Sequence, residues 1–529
     1  NHPALAVWHV SNEYGGECHC PLCQERFRAY LKKRFGSLDA LNEAWWTSFW
    51  SHTYTDWSHI ESPSPLGDAH THGLNLEWKR FTTEQVVDFY LHETAPLKKI
   101  TPDVPCTTNL MCDKDGTDYF RLAEVMDVAG WDNYPEWTAT EKDIDIASYR
   151  SFAHDLARSL KDKPFMLIES SPSATNWRSV AKLHRPGVHT LQSMQAVAHG
   201  SDTVQYFQFR KSRGSSEKFH GAVVDHEGTE NTRVFREVAD VGRRLAAMKG
   251  VAGAATPSSA AIIYDWNVLW ALADAKGFLQ EKTGYKETVV SHYRALWGLG
   301  ISTDVIDQTR SLEGYDLIVA PMLYMLRPGF AEKIASFVQS GGVFAATYGT
   351  GYVDENDLCY LGGFPGPLKD VLGIWSEEID ALYPDDRNHV FWDSRMRTYR
   401  IFDFCERIHP LTATAQTFLT YGSDFYQGEP VVTVNKYGSG AAWYIAARTE
   451  QAFLNDFYAY IVREYHIPRI IDAELPEGVT AQVRSDGKTR YIFLLNFTPD
   501  IKFVETKDGV KKLKPWEAVE IATEQGDRL

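Results

Sequence analysis

Five short apolar runs alternate with helical stretches over roughly the first 250 residues, and this alternation constrains the fold more than any other feature of the chain. The runs are Ala4–Val10, Pro105–Met111, Val128–Asn133, Pro164–Ile168 and Thr203–Phe209. Between the first two, Gln24–Trp46 carries Phe27, Tyr30, Leu31, Phe35, Leu38, Leu41 and Trp45 at helical spacing, with a break at Gly36-Ser37. A second helix is expected over Leu74–Lys99, with Trp78, Phe81, Phe89 and Tyr90 broadly on one side and Pro96 near its end. Serial β/α units imply an α/β fold with a parallel sheet and helices outside. Its closed form, the TIM barrel, needs eight such units, so about five of eight are accounted for in residues 1–250.

Two of the runs end in a glutamate. Val7-Trp8-His9-Val10 leads into Ser11-Asn12-Glu13-Tyr14-Gly15, which reads as a buried strand delivering a carboxylate to its tip, and Phe165-Met166-Leu167-Ile168 leads into Glu169-Ser170-Ser171-Pro172. Barrel enzymes place their catalytic groups at such tips, where the strand fixes the side chain and a loop opens above it. Two carboxyls on two tips suit glycoside hydrolysis, in which one group protonates the leaving oxygen while the other, ionised, meets the sugar carbon. Taken singly, either glutamate reads as readily as a helix cap or an arginine partner.

The cluster Cys18-His19-Cys20-Pro21-Leu22-Cys23 places three thiols within six residues, a spacing that suits zinc. Zinc takes four ligands, and His19, Glu17 or the distant Cys106 are candidates for the fourth. The seven cysteines, with Cys112, Cys359 and Cys405 completing the set, are an odd number in a long chain, which argues for free thiols in a reducing compartment. A net charge of −16 disfavours nucleic acid and anionic membrane surfaces as partners. No run of about 18 apolar residues is present.

Six motifs then recur in a familiar order: Asn12-Glu13-Tyr14-Gly15, Cys18-x-Cys20-x-x-Cys23, Thr47-Ser48-Phe49-Trp50, Trp131-Asp132-Asn133-Tyr134-Pro135, Glu169 with Asn176-Trp177, and Glu217-x-x-His220. Together they resemble the microbial β-galactosidases of glycoside hydrolase family 42. The resemblance implies a retaining, exo-acting hydrolase releasing terminal β-D-galactose, with Glu13 as acid/base and Glu169 as nucleophile. Asn12 is expected to bind the sugar 2-hydroxyl. Trp50, Tyr134 and Trp177 would wall the pocket, Tyr134 also hydrogen-bonding the nucleophile, and Glu217 and His220 would bind galactose hydroxyls. The five barrel strands would be the fourth to the eighth. The fourth zinc ligand, like the first three strands, would lie upstream of this sequence, and the protein would be a cytoplasmic homotrimer. Two alternatives stand beside this reading: an α-L-arabinopyranosidase of the same mechanism, and a non-catalytic sugar-binding or assembly fragment, because three barrel strands are not in the sequence.

From about residue 251 the texture changes to Ala260–Tyr264, Thr303–Ile306, Leu317–Pro321 and Val343–Tyr348 as strands, with helices at Lys286–Leu299 and Pro328–Ser340. This is a doubly wound, flavodoxin-like pattern, assigned to 251–467. The resemblance makes it the trimerisation domain, with Trp266, Trp270 and Trp297 as the side chains expected to pack between subunits. Residues 468–529 read as a small β-sandwich, with a hairpin turn at Ser485-Asp486-Gly487-Lys488 and a second turn at Lys507-Asp508-Gly509.

Overall fold

The computed structural model describes residues 2–64, 70–111, 114–140, 142–275, 277 and 283–524; Cys112 lies outside them. The helix expected at Gln24–Trp46 is two helices, Pro21–Phe35 and Leu38–Ala44, broken where the sequence breaks. Gly36 ends the first at φ 75°, a left-handed turn that glycine adopts without a Cβ clash, and the Ser37 hydroxyl caps the second by accepting from the Ala40 N–H at 3.2 Å. The long helix runs His72–Ile100 and buries Trp78, Phe81 and Tyr90, though Phe89 stays half exposed.

Five parallel strands form at or near the expected runs, the last of them earlier than expected, at Ser201–Val204 instead of Thr203–Phe209. Trp8–His9 pairs with Cys106–Thr107, which continues past Thr108 into Asn109–Leu110; then follow Gly130–Asn133, Phe165–Ser170 and Ser201–Val204. The first strand is shorter and more exposed than the expected buried run, with Val10 its one buried side chain. Among the described residues it pairs on one side only.

The middle domain contains a seven-stranded sheet. Its parallel part runs Gly440–Ile445, Val343–Thr347, Leu317–Ala320, Ala260–Ile263, Thr303–Ile306, and two antiparallel strands, Ala415–Thr420 and Pro430–Tyr437, extend one edge. Numbered along the chain, the parallel strands lie 2-1-3-4-5, the flavodoxin-like order. A second sheet of Ile374–Ala381, Arg397–Pro410, Asn388–Trp392 and Ala447–Thr449 packs against it.

The tryptophans expected between subunits are buried within the single chain. Trp266 lies edge-on to Tyr119 and Phe120 of the barrel domain, Trp270 donates to the Asp115 carbonyl at 2.6 Å, and Trp297 packs on Phe497 of the C-terminal module. They therefore join domains, because apolar helix faces next to a neighbouring core are covered before a second chain arrives. The buried Arg484 ties the C-terminal module down by donating to Ser201 O, Asp202 Oδ1 and Ala254 O. The module itself is a three-stranded sheet, Val479–Ser485, Thr489–Asn496 and Ala518–Glu524, plus the hairpin Lys502–Thr506 and Gly509–Leu513. No described helix is long and apolar enough to cross a membrane.

Candidate active site

Parallel pairing carries the strand ends to one face of the sheet, and the two glutamates meet there. Carboxyl oxygens of Glu13, Glu169 and a third acid, Asp132, lie within 4.8 Å of one another. Asp132 comes alongside Glu169 through a bulge: Trp131 pairs with Leu167, but Asp132 pairs with Glu169, so Ile168 is the extra residue. Without the bulge the two acids would stand one residue out of register, on opposite faces.

Glu13 sits in an exposed loop rather than on the strand itself, and both it and Ser11 have left-handed backbones, φ 46° and 55°. Non-glycine residues hold that conformation only when their surroundings impose it. Two anchors are visible. Tyr14 turns its ring edge to Phe89 and Tyr90 and gives its hydroxyl to Glu93 on the long helix. The Glu13 N–H donates to Asn109 Oδ1 at 2.8 Å.

Glu169 is half-buried at the end of Phe165–Ser170. Burial raises its pKa and the Glu13 charge adds to the rise, while the Tyr134 hydroxyl, donating to Oε2 at 2.7 Å, works the other way. Tyr134→Phe is therefore expected to raise the Glu169 pKa. Since an anionic nucleophile loses activity as pH falls through its pKa, the acid limb of kcat/KM moves to higher pH. The loss at the optimum should be about tenfold, the scale of one charge-assisted hydrogen bond. An acid limb that stays put in a pH–rate profile would contradict this.

The Tyr134 ring stands edge-on to Trp177 at 4.9 Å, and Trp177 stacks on His220 at 4.8 Å. His220 is fully buried, with Nε2 3.0 Å from the Phe207 carbonyl and Nδ1 3.1 Å from Asn176 Oδ1, so it supports the half-exposed Trp177 ring from behind. Glu217 Oε2 lies 3.7 Å from His220 Nδ1. Arg178 donates to the Tyr134 carbonyl at 2.6 Å and holds that loop. Trp50 is placed apart from this chain of contacts: it is exposed, stacked on Phe49 at 4.6 Å and edge-on to His70 at 5.0 Å.

Asn109 and Asp132 belong to this site and were not singled out by the sequence for any role. Asn109 Nδ2 donates to Asp132 Oδ2 at 2.7 Å and lies 3.1 Å from Asn12 Oδ1 and 3.4 Å from Glu169 Oε1. The available signal was position for Asp132, a polar residue closing an apolar run as Glu13 and Glu169 do; Asn109 lies inside its run, before Leu110 and Met111, and carries no such signal.

Around the start of Pro21–Phe35, the sulfurs of Cys18, Cys20 and Cys23 also lie within 4.8 Å of one another, and Cys20 Sγ is 3.7 Å from Cys23 Sγ. A tetrahedral zinc with bonds of about 2.3 Å has sulfurs about 3.8 Å apart, so the three thiols fit a zinc. The Cys23 backbone N–H lowers Cys20 to about 7, whereas burial, reinforced by the neighbouring thiols, pushes Cys23 up to about 12. The candidates for a fourth ligand are occupied elsewhere. Glu17 accepts from Trp78 Nε1 at 2.8 Å and from Lys79, His19 Nδ1 lies 2.8 Å from Ser62 Oγ, and Cys106 is buried in its strand.

Three family models match the chain in order: β-galactosidase over residues 1–248, β-galactosidase trimerisation domain over 258–468, and β-galactosidase C-terminal domain over 478–518. The β-galactosidase BglY of Alicyclobacillus acidocaldarius is 54% identical over 517 residues, which is 97% of this chain and 75% of the relative. The β-galactosidase Pbg of Clostridium perfringens is 51% identical over 518 residues, 96% of this chain and 75% of that protein. Among solved structures, a cold-adapted β-galactosidase from Rahnella sp. R3 superimposes with a TM-score of 0.97 at 51% identity, covering 99% of this chain and 79% of its own.

Proposed function

Because the chain belongs to the β-galactosidases of glycoside hydrolase family 42, we propose that Glu169 is the nucleophile and Glu13 the acid/base of a double displacement at this site. The enzyme is a retaining exo-β-galactosidase that releases terminal β-D-galactose from β-galactosides. The observation that supports a retaining pair is the carboxyl separation of no more than 4.8 Å between Glu13 and Glu169, and the Tyr134 hydroxyl on Glu169 supports Glu169 as the anionic member. That spacing resembles the roughly 5–5.5 Å of retaining enzymes and leaves no room for the water an inverting enzyme puts between its acids. In the first step Glu169 bonds to the anomeric carbon as the glycosidic C–O bond breaks, and the leaving oxygen takes the proton of Glu13. In the second, Glu13 takes a proton from water, the water oxygen bonds to that carbon, and the ester to Glu169 breaks. Tyr134 keeps Glu169 anionic, Asn12 meets the 2-hydroxyl, Trp177 and Trp50 are sugar platforms, and Glu217 binds galactose hydroxyls with His220 backing it. An activated 2-deoxy-2-fluoro-galactoside should trap the covalent intermediate, and peptide mapping should find the label on Glu169. A label on Glu13 or Asp132 would overturn the assignment.

Cys18, Cys20 and Cys23 are proposed to hold a structural zinc, with the fourth position left to a ligand the described residues do not supply. When bound, the metal would clamp the N-terminus of Pro21–Phe35, where three thiolates also meet the positive end of the helix dipole. Chelation is expected to lower Tm by on the order of 5 °C while kcat of the surviving folded fraction holds, since the ligands touch neither glutamate. Freshly purified protein free of zinc by metal analysis would contradict the site.

The assembly proposed is a homotrimer formed through residues 258–468. The matched trimerisation model supports it, as do the exposed apolar side chains Leu361, Tyr383, Met396 and Phe425 on that domain. Sedimentation velocity should give a trimer at micromolar concentration; a concentration-independent monomer would refute it. The cytoplasm is the proposed location, supported by the free thiols of Cys18, Cys20, Cys23, Cys106, Cys359 and Cys405.

A further inference from the structure

One buried amide meets Glu13, Asn12, Asp132 and Glu169 where the two glutamates come together. Asn109 is 1% exposed, begins the short strand Asn109–Leu110 and touches both halves of the catalytic machinery. Its Oδ1 accepts the N–H of Glu13 at 2.8 Å, and its Nδ2 faces Asp132 Oδ2, Asn12 Oδ1 and Glu169 Oε1 at 2.7, 3.1 and 3.4 Å. An amide nitrogen has two hydrogens for these three acceptors, so the shortest contact decides how the group is oriented. That contact is to Asp132, brought into place by the bulge opposite Ile168. An amide turned the other way would put its NH2 against the Glu13 N–H and lose that bond.

We infer that Asn109, oriented by Asp132, is the positioning residue that holds the acid/base loop at its working distance from the nucleophile. The backbone gives the reason a dedicated anchor is needed. Ser11 and Glu13 both occupy the left-handed region without being glycine, and on Glu13 itself Asn109 supplies the hydrogen bond from outside the loop. Losing that bond lets the loop relax toward ordinary backbone angles and carries Glu13 and Asn12 away together. Asp132 serves through its acceptor oxygen. Burial, and then the charge of Glu169, push its pKa up to about 8, and its second oxygen, Oδ1, is buried without a partner. Asparagine is close to its isostere.

This inference rests on the roles proposed for Glu13 and Glu169, and the test separates the two. Asn109→Ala and Asp132→Leu are compared with the parent on two substrates, an alkyl β-galactoside, whose leaving group needs a proton, and a dinitrophenyl β-galactoside, whose leaving group does not. Rates are normalised to active sites counted by the fluoro-sugar label, so that misfolded protein drops out. The alkyl substrate should lose about 100-fold in kcat/KM, the scale of a displaced catalytic group, and the dinitrophenyl substrate about tenfold or less. Asp132→Asn keeps an acceptor for Asn109 Nδ2 and should recover at least about tenfold of what Asp132→Leu loses on the alkyl substrate. It changes a single atom and keeps the packing, so it carries the test if the larger changes do not fold. In that case an alkyl-to-aryl rate ratio within about threefold of the parent's is the expected result, and a collapse of that ratio would overturn the inference. Equal losses on both substrates, or parental rates in Asn109→Ala, would likewise overturn it. If the losses are equal while the label still sits on Glu169, only the positioning role falls; if the label sits on Glu13, the role assignment falls.

Discussion

Glu169→Ala is expected to lower kcat for every β-galactoside by on the order of 10⁴–10⁶, with no dependence on the leaving group. Removing the nucleophile removes the covalent intermediate itself, and a better leaving group cannot replace a missing bond. Stability should move the opposite way. Glu169 shares its site with the Glu13 carboxylate, within 4.8 Å, and burial raises its pKa with the Glu13 charge adding to the rise. Folding therefore holds like charges together at a cost, and deleting one of them removes part of it. Tm is expected to stay level or rise slightly. A marked fall in Tm would show that the activity loss came from unfolding, and a residual rate within tenfold of the parent would show that Glu169 is not the nucleophile.

Glu13→Gln is expected to lose about 10²–10⁴ in kcat, but selectively. Alkyl galactosides need a proton on the leaving oxygen and should lose most. Dinitrophenyl galactoside needs none to form the galactosyl-enzyme, yet the second step still lacks its base, so the intermediate accumulates and KM falls along with kcat. Pre-steady-state burst kinetics should show a full burst followed by slow turnover. The change should be confined to catalysis, because the Glu13 side chain is exposed and the loop is held through its backbone N–H. A uniform loss on all substrates would contradict the acid/base role.

Much of the frame could be read before the structure. The barrel strands overlap the apolar runs, and four of the five parallel strands of the 2-1-3-4-5 sheet were legible from strands and helices that alternate with clear boundaries; the fifth, Gly440–Ile445, was not read. The two glutamates were legible because each closes an apolar run. What escaped depends on three-dimensional register. Asp132 becomes a neighbour of Glu169 through a one-residue bulge that a period-two pattern cannot show, and Asn109 gains its importance only when Glu13 and Asn12 arrive across the sheet. The sheet built on Arg397–Pro410 was missed because charged residues such as Arg400, Glu406 and Arg407 interrupt its apolar pattern. Inside the fold Glu406 is buried, satisfied by the hydroxyls of Tyr352, Ser376 and Tyr444. The resemblance placed Trp266, Trp270 and Trp297 between subunits, yet they are buried within the chain, since an apolar helix face does not announce whether its cover is another domain or another chain.

The stereochemistry of azide rescue tests the central claim most directly. Sodium azide is added to Glu169→Ala and to Glu13→Ala with dinitrophenyl β-galactoside, and the galactosyl azides are read by proton NMR. With Glu169 gone, azide takes the space of the missing carboxylate and attacks the substrate itself, giving the inverted α-azide. With Glu13 gone, azide attacks the galactosyl-enzyme, giving the retained β-azide. The exchanged pattern, β-azide from Glu169→Ala and α-azide from Glu13→Ala, would contradict the assignment of the two carboxylates.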